Sequence, residues 1–237
     1  MLQIDVRKGL RDFDLEVSLS VDDGEILMLV GDNGCGKTTV LNLIAGLTDP
    51  DEGKIHQSGR TLFDSDLKVN IPPEARNIGY VFQNYALFPH MSVYDNVAFG
   101  LKTRKIPAEE VDFMVKDRLE AAGLWEIRKA RASSISGGQK QRVALARALI
   151  IEPEVLLLDE PLSAMDVRTQ VTMRRELRET VHQCRVPSII VTHDLRDVAC
   201  IGDRVCLLEN GRITLSGPAE DATDWGRAVM VEGSVGS

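Results

Sequence analysis

The sequence predicts an α/β protein: a parallel sheet with helices on both sides, an antiparallel β segment before it, and a block of helices inserted into it. Three observations carry this prediction. The runs Ile26-Leu27-Met28-Leu29-Val30, Val155-Leu156-Leu157-Leu158 and Ser188-Ile189-Ile190-Val191 are apolar on both faces, as strands covered by helices on both sides must be. Helical segments separate these strands, so strand and helix alternate. Residues 84–150 read almost wholly as helix, which interrupts that alternation once.

Taken in order, the first pattern is the alternation of Phe13, Leu15, Val17, Leu19 and Val21 with polar residues, a half-buried strand that places Phe13 in the core. Asp22-Asp23-Gly24 turns the chain into the run at 26–30. Residues 38–47 follow a glycine-rich loop and read as helix, with Leu41, Ile44 and Ala45 on one face. Residues 51–59 form a turn-rich hairpin region. In the helical block, residues 102–122 are densely charged. Beyond it come the strand at 155–158, a helix over about 167–183, the strand at 188–191 and a last strand at 204–208.

The 237 residues carry 28 Lys and Arg against 36 Asp and Glu, a net charge of −8 that argues against nucleic acid held by bulk positive charge. No apolar run exceeds the five residues from Ile26 to Val30, far below the ~20 of a spanning helix. The N-terminus has no apolar segment of the signal-peptide kind, so a cytoplasmic chain is expected. Cys35, Cys184, Cys200 and Cys206 have neither CxxC pairing nor a His at metal-ligand spacing, and read as reduced thiols.

Gly31-Asp32-Asn33-Gly34-Cys35-Gly36-Lys37-Thr38 satisfies G-x-x-x-x-G-K-[ST] between a strand and a helix. Glycines let successive backbone N–H groups surround a phosphate. The helix start aims its positive end at the same point. Lys37 adds a mobile charge for the β and γ phosphates, and the Thr38 hydroxyl is a hard ligand for Mg²⁺. Cys35 reads as a small spacer or as a thiol whose alkylation would block the loop. A second feature is Asp159-Glu160 at the end of the buried run 155–158. Charge at such a place is expensive unless it is partnered. A phosphate-bound Mg²⁺ would partner Asp159, leaving Glu160 to polarise a water toward the γ phosphate. Water as acceptor points to hydrolysis.

Ile135-Ser136-Gly137-Gly138-Gln139 closely resembles the LSGGQ signature of the ATP-binding cassette (ABC) family, with Ile in the first position. The other family motifs occur in the right order: the Walker A loop, Gln83 in Val81-Phe82-Gln83-Asn84, the Walker B acids, Ser163-Ala164-Met165-Asp166, and Thr192-His193-Asp194. The resemblance implies a single domain over residues 1–237 with a P-loop NTPase (RecA-like) core and residues 84–150 as its helical subdomain; the C-terminal regulatory domain that many members carry is not expected within these 237 residues. It implies ATP contacts from Gly31, Asp32, Asn33, Gly34, Cys35, Gly36, Lys37, Thr38 and Thr39. Mg²⁺ ligands would be Thr38, Gln83 and Asp159, and the catalytic groups Glu160, Gln83 and His193. Ser136, Gly137, Gly138 and Gln139 would meet an ATP held by a second copy of the chain, in a head-to-tail homodimer. Read alone, Ser-Gly-Gly is a helix cap, Gln83 a surface residue and His193 a solvated one. Phe13 is the nearest candidate for the adenine-stacking aromatic, which stays unassigned.

Residues 71–97 resemble the importer branch of the family, and the apolar stretch 85–93 reads as a surface for the membrane subunit or as core of the helical block. Gly59-Arg60-Thr61-Leu62-Phe63-Asp64 and Pro72-Pro73-Glu74-Ala75-Arg76 look most like molybdate and tungstate cassettes, although sulfate, iron, polyamine, sugar and thiamine importers share much of this text. The implied assembly is peripheral, at the cytoplasmic membrane face. Its partners would be integral permease subunits and, indirectly, an extracytoplasmic solute-binding protein, with no nucleic acid. A soluble ABC ATPase usually has a long coiled-coil insertion or two cassettes, and a GTPase would need an NKxD motif that is missing here.

Overall fold

The computed structural model describes residues 1–163, 165 and 167–221. Ala164 and Asp166, quoted above as part of one motif, lie outside the described residues, as do residues 222–237. In chain order, β1 is Leu2–Gly9, β2 Asp14–Val21, β3 Ile26–Val30, α1 Lys37–Ala45, β4 Glu52–Gln57, β5 Arg60–Asp64, β6 Val69–Asn70 and β7 Ile78–Val81. Three helices follow: α2 (Val93–Thr103), α3 (Ala108–Ala121) and α4 (Gly137–Leu149). Then come β8 (Val155–Asp159), α5 (Val167–Cys184), β9 (Ser188–Val191), α6 (Leu195–Ile201), β10 (Arg204–Glu209) and β11 (Arg212–Pro218). The mixture of strand and helix is that of the predicted α/β class.

The chain divides into two compact units, Met1–Arg76 with Arg174–Ser237, and Asn77–Met173. The strands of the first run β6-β5-β4-β1-β2-β11-β10-β3-β9. From β6 to β2 the pairing is antiparallel, and β10 with β11 is also antiparallel. Around β3 it is parallel on both sides, to β10 and to β9. All five residues of β3 are buried, which its uninterrupted apolar run requires. Strands β1 and β2 instead bury alternate residues, Leu2, Ile4 and Val6 against Leu15, Val17 and Val21. Between β4 and β5, Ser58 and Gly59 both take positive φ (45° and 81°), the two-residue turn whose twist matches a hairpin.

Helix α1 stops at Gly46, whose φ is 76° and whose N–H returns to the carbonyls of Asn42 and Leu43. A side chain there would put a Cβ 2.6 Å from Arg76 Nε. Arg76 is wholly buried. Its guanidinium donates to Leu43 O (2.9 Å), Ile44 O (2.7 Å), Ile71 O (2.7 Å) and Asn70 Oδ1 (3.0 Å). It therefore caps the negative end of α1 and ties it to the segment after β6. Burial pulls Arg76 below its ordinary pKa, opposed by Asp49.

In the second unit β7 pairs in parallel with β8. Helices α2, α3 and α4 enclose a core of Val93, Val97, Leu101, Val115, Leu119 and Val143 with their neighbours. Asn96 is buried inside it and satisfied, donating to Phe88 O and Ser92 O and accepting from Phe88 N. In the stretch 85–93, Tyr85 and Val93 are core, while Leu87, Phe88 and Met91 are half-buried and Pro89 and His90 exposed.

Strands β1, β5, β6, β7 and β11 go beyond the predicted set. Strand β6 has two residues and β7 four, too few for an alternation to stand out, whereas β11 does alternate Ile213 and Leu215 with Arg212, Thr214 and Ser216. Predicted helix 38–47 is shorter, because Gly46 ends it. Removing the Arg76 guanidinium would strand several buried carbonyls. Arg76→Ala is expected to lower unfolding free energy by about 3–5 kcal/mol in chemical denaturation.

Candidate functional site: a phosphate loop and a glutamine–glutamate pair

The loop from Gly31 to Thr38 leaves the carboxyl end of β3 and enters α1 at Lys37. Gly31 has φ 150°, and a Cβ on it would lie 2.2 Å from Leu208 O, so no other residue fits. Lys37 is buried, and its ammonium donates to Gly31 O and Asp32 O at 2.8 Å each, with Cys35 Sγ at 3.9 Å. A buried cation held by neutral atoms is suited to receive an anion. Asp32, Asn33, Gly34 and Thr38 are exposed and Thr39 half-buried. Cys35 is buried, and burial pushes its thiol pKa up against the pull of Lys37. That is the environment of a packed spacer, not of a reactive thiolate.

Leu29 pairs with Val191 in the parallel register of β3 and β9. Two residues further along each strand stand Gly31 and His193, so the register brings the loop and the histidine to neighbouring strand ends. His193 is exposed. The residues on either side of it are fixed. Thr192 Oγ1 donates to Asp197 Oδ2 (2.8 Å) and accepts from Asp194 N (3.0 Å). Arg174 Nε donates to Asp197 Oδ1 (2.6 Å) and its Nη2 to Asp194 Oδ2 (3.1 Å). The hydrogen bond from Arg196 holds the Asp194 carboxyl below the usual carboxylate range. No local sequence signal points to Arg174, which comes from α5, or to its pairing with Asp197.

Phe13 requires a correction. It precedes β2 in a bend and is only half-buried, so it is not a core member of the alternating strand. Its ring lies where a Cβ on Gly36 would be 3.7 Å from Cε2. The aromatic therefore flanks the phosphate loop. The break in the alternation between Phe13 and Asp14 is too small to read from sequence.

The second unit repeats the strand-end logic. Val81 of β7 pairs with Leu158 of β8, and two residues beyond each stand Gln83 and Glu160. Gln83 Nε2 donates to Glu160 Oε2 at 2.8 Å. Asp159 is the last residue of β8 and is buried. Glu160 turns out of the strand with φ 45°, an unfavourable conformation for a side-chain-bearing residue, and its carbonyl accepts from Ser163 N and Oγ. Ser136 caps α4 in a capping box: its hydroxyl accepts from Gln139 N (3.3 Å) and its N–H donates to Gln139 Oε1 (2.9 Å). The cap reading of Ser136 is thus realised within the chain. A Cβ on Gly137 would meet nothing within 4 Å, and one on Gly138 only Thr169 Cγ2 at 4.0 Å. Among the described residues, no group of three His, Cys, Asp or Glu could hold a metal ion.

Residues 15–163 match the family profile described as ABC transporter. The chain is 44% identical to the trehalose/maltose import ATP-binding protein MalK of Thermococcus litoralis, over 94% of this chain and 60% of that protein. It is 42% identical to the molybdate/tungstate import ATP-binding protein WtpC of Thermococcus kodakarensis (91% and 64%). It is 47% identical to the spermidine/putrescine import ATP-binding protein PotA of Methylococcus capsulatus (90% and 53%). The chain thus spans between about half and two thirds of the length of these curated relatives. Its structure resembles CbiO1 from Clostridium perfringens, described as part of the ABC transporter complex cbiONQ (TM-score 0.82, 28% identity, 97% of this chain and 92% of that one). It also resembles the ATP-binding cassette MJ0796 in a dimeric post-hydrolysis state bound to ADP and Pi (0.75, 27%, 92% and 99%). Profile and relatives agree with the strand–loop–helix phosphate site and the ISGGQ helix start: the chain belongs to the ABC transporter family.

Proposed function

We propose that this chain binds and hydrolyses ATP as the energy-coupling subunit of an importer. The observation that carries the reading is the phosphate loop, in which a buried Lys37 ammonium rests on backbone carbonyls below an exposed, glycine-shaped turn. ATP phosphates would take the N–H groups of residues 31–39 and the Lys37 charge, with Phe13 offering the base an aromatic face beside Gly36. Thr38, Gln83 and Asp159 carry the hard oxygens that Mg²⁺ would take, and an ion that keeps waters and leans on phosphates needs no three-carboxylate cage. Bound there, it would neutralise charge on the β and γ phosphates. Glu160 would accept a proton from the attacking water while Gln83 holds its other oxygen, and His193 would face the γ phosphate.

The start of α4 supports a second copy as partner. Glycine in a helix costs roughly 0.5–1 kcal/mol relative to alanine. Nothing among the described residues crowds Gly137, which leaves room for a ligand that approaches from outside. The dimeric state of MJ0796 and the membership of CbiO1 in a transporter complex support a homodimer and membrane subunits. No helix among the described residues is long and apolar enough to cross a membrane, which fits a peripheral subunit at the cytoplasmic face. For the solute we propose an oxyanion such as molybdate or tungstate, supported by WtpC. Comparable identity to MalK and PotA supports a sugar or a polyamine as the second reading.

Lys37→Ala should abolish or strongly weaken equilibrium binding of labelled ATP; unchanged affinity would remove the loop as the nucleotide site. Glu160→Gln should bind MgATP normally, with turnover reduced by ~10²–10⁴-fold. In that variant ATP, and not ADP, should produce a dimer by sedimentation, since a ligand that binds the dimer better shifts association toward it. Adding Ser136→Arg should abolish the dimer and leave ATP binding intact. For the solute, the assembled transporter should take up labelled molybdate in competition with tungstate; uptake of maltose or spermidine instead would replace the oxyanion reading.

A further inference from the structure

The segment just after Gln83 is strained and is held from two sides. Tyr85 and Ala86 both take positive φ, 62° and 43°, and neither is glycine. Two adjacent side-chain-bearing residues in the left-handed region persist only where surrounding contacts impose them. One such contact comes from α4. Arg147 Nη2 donates to Tyr85 O and its Nη1 to Ala86 O, each at 2.8 Å, so one planar fork grips two successive carbonyls. Its guanidinium also lies 5.7 Å from the centre of the Phe88 ring. From the other side, the buried Tyr85 hydroxyl donates to Pro161 O, the carbonyl just after Glu160. Asn84 Oδ1 accepts from Ala86 N. The turn is thus fastened to α4 at one end and to the exit of β8 at the other. Two residues before the turn, Gln83 reaches Glu160.

We propose that Arg147 is a positioning residue for hydrolysis: its fork holds the left-handed turn at Tyr85 and Ala86, and through that turn keeps the Gln83 amide on the Glu160 carboxylate. The proposal rests on the reading of Glu160 and Gln83 as the water-facing pair. Arg147 touches no reacting group. It sits in the last turn of the helix whose first residues follow Ser136, so a displacement of α4 is transmitted to Gln83 through two hydrogen bonds. With the fork removed, Tyr85 and Ala86 relax toward ordinary φ, the amide withdraws, and Glu160 loses its hydrogen bond from Gln83. The phosphate loop belongs to the other compact unit and keeps its own contacts.

The test is steady-state hydrolysis and equilibrium ATP binding by the full 237-residue chain. Arg147→Met keeps the apolar stem and removes the fork. It should lower kcat by about ten- to a hundredfold, the scale of a small displacement at a catalytic group, with ATP affinity unchanged. Ala86 is exposed, so Ala86→Gly alters no packing, and glycine adopts a φ of 43° without help. In the Arg147→Met background Ala86→Gly should therefore restore kcat several-fold. A role for Arg147 in general stability predicts no such rescue. Gln83→Ala combined with Arg147→Met should be no slower than Gln83→Ala alone, because both act on one contact. Full activity of Arg147→Met, losses that multiply with Gln83→Ala, or no gain from Ala86→Gly would each overturn the proposal. If Arg147→Met does not fold, Arg147→Lys, which can reach only one of the two carbonyls, carries the same comparison: an intermediate kcat raised by Ala86→Gly supports the fork, and a kcat indifferent to Ala86→Gly overturns it. Wild-type turnover in Glu160→Gln would instead bring down the underlying reading of the pair. An inactive Glu160→Gln with a fully active Arg147→Met removes only the role given to Arg147.

Discussion

Strands β3 and β8 are buried over their whole length, and that constraint governs where this chain can place its chemistry. A strand covered on both faces has no position along its length for a charged or hydrated group. Such groups are confined to the carboxyl ends, where the chain leaves the sheet. Parallel register then decides which of them become neighbours. The Leu29–Val191 pair sets Gly31 beside His193, and the Val81–Leu158 pair sets Gln83 beside Glu160. Residues 77 positions apart in sequence are hydrogen-bonded because two short strands align without a bulge.

The same ends concentrate backbone strain. Glu160, Tyr85 and Ala86 carry side chains at positive φ, a conformation of order 1–2 kcal/mol above the ordinary one for each. Each is matched by dedicated contacts: Ser163 on the Glu160 carbonyl, and Arg147 on those of Tyr85 and Ala86. Strain fixed in this way orients a side chain more sharply than a relaxed loop could, because relaxation would break these hydrogen bonds to carbonyls, charge-assisted in the case of Arg147.

The distinction between legible and illegible follows from locality. The apolar runs of β3, β8 and β9, the glycine spacing of the phosphate loop and the Ser-Gly-Gly cap of α4 are written in consecutive residues and are legible there; the reciprocal bond from Gln139 is not. Arg76, Arg147 and Arg174 are written nowhere locally. Each meets partners from other elements, Arg76 at Leu43 and Ile44, Arg147 at Tyr85 and Ala86, Arg174 at Asp194 and Asp197. An arginine in a sequence gives no sign of whether it is solvated or plugs a helix end. Phe13 shows the converse failure. Its spacing extends the alternation of β2, but the strand begins one residue later, so the ring flanks the phosphate loop and does not join the core.

The stretch once most suggestive of a solute has a structural reading. Residues 60–64 are a hairpin strand, and Pro72 to Arg76 is a short helical turn that delivers a buried guanidinium to the end of α1. Every contact found for Arg76 is internal, to carbonyls and one amide of its own unit. A segment constrained by helix capping is under the same constraint whatever the transporter carries. Relatives named for maltose, molybdate and spermidine are 42–47% identical to this chain, which fits text of that kind. Discrimination among solutes requires groups that touch the solute, and on the proposed reading the groups described in this chain would meet phosphate and water. On the function proposed above, the choice of solute would belong to whatever partner lines its path, and this chain would contribute the free energy that drives its movement.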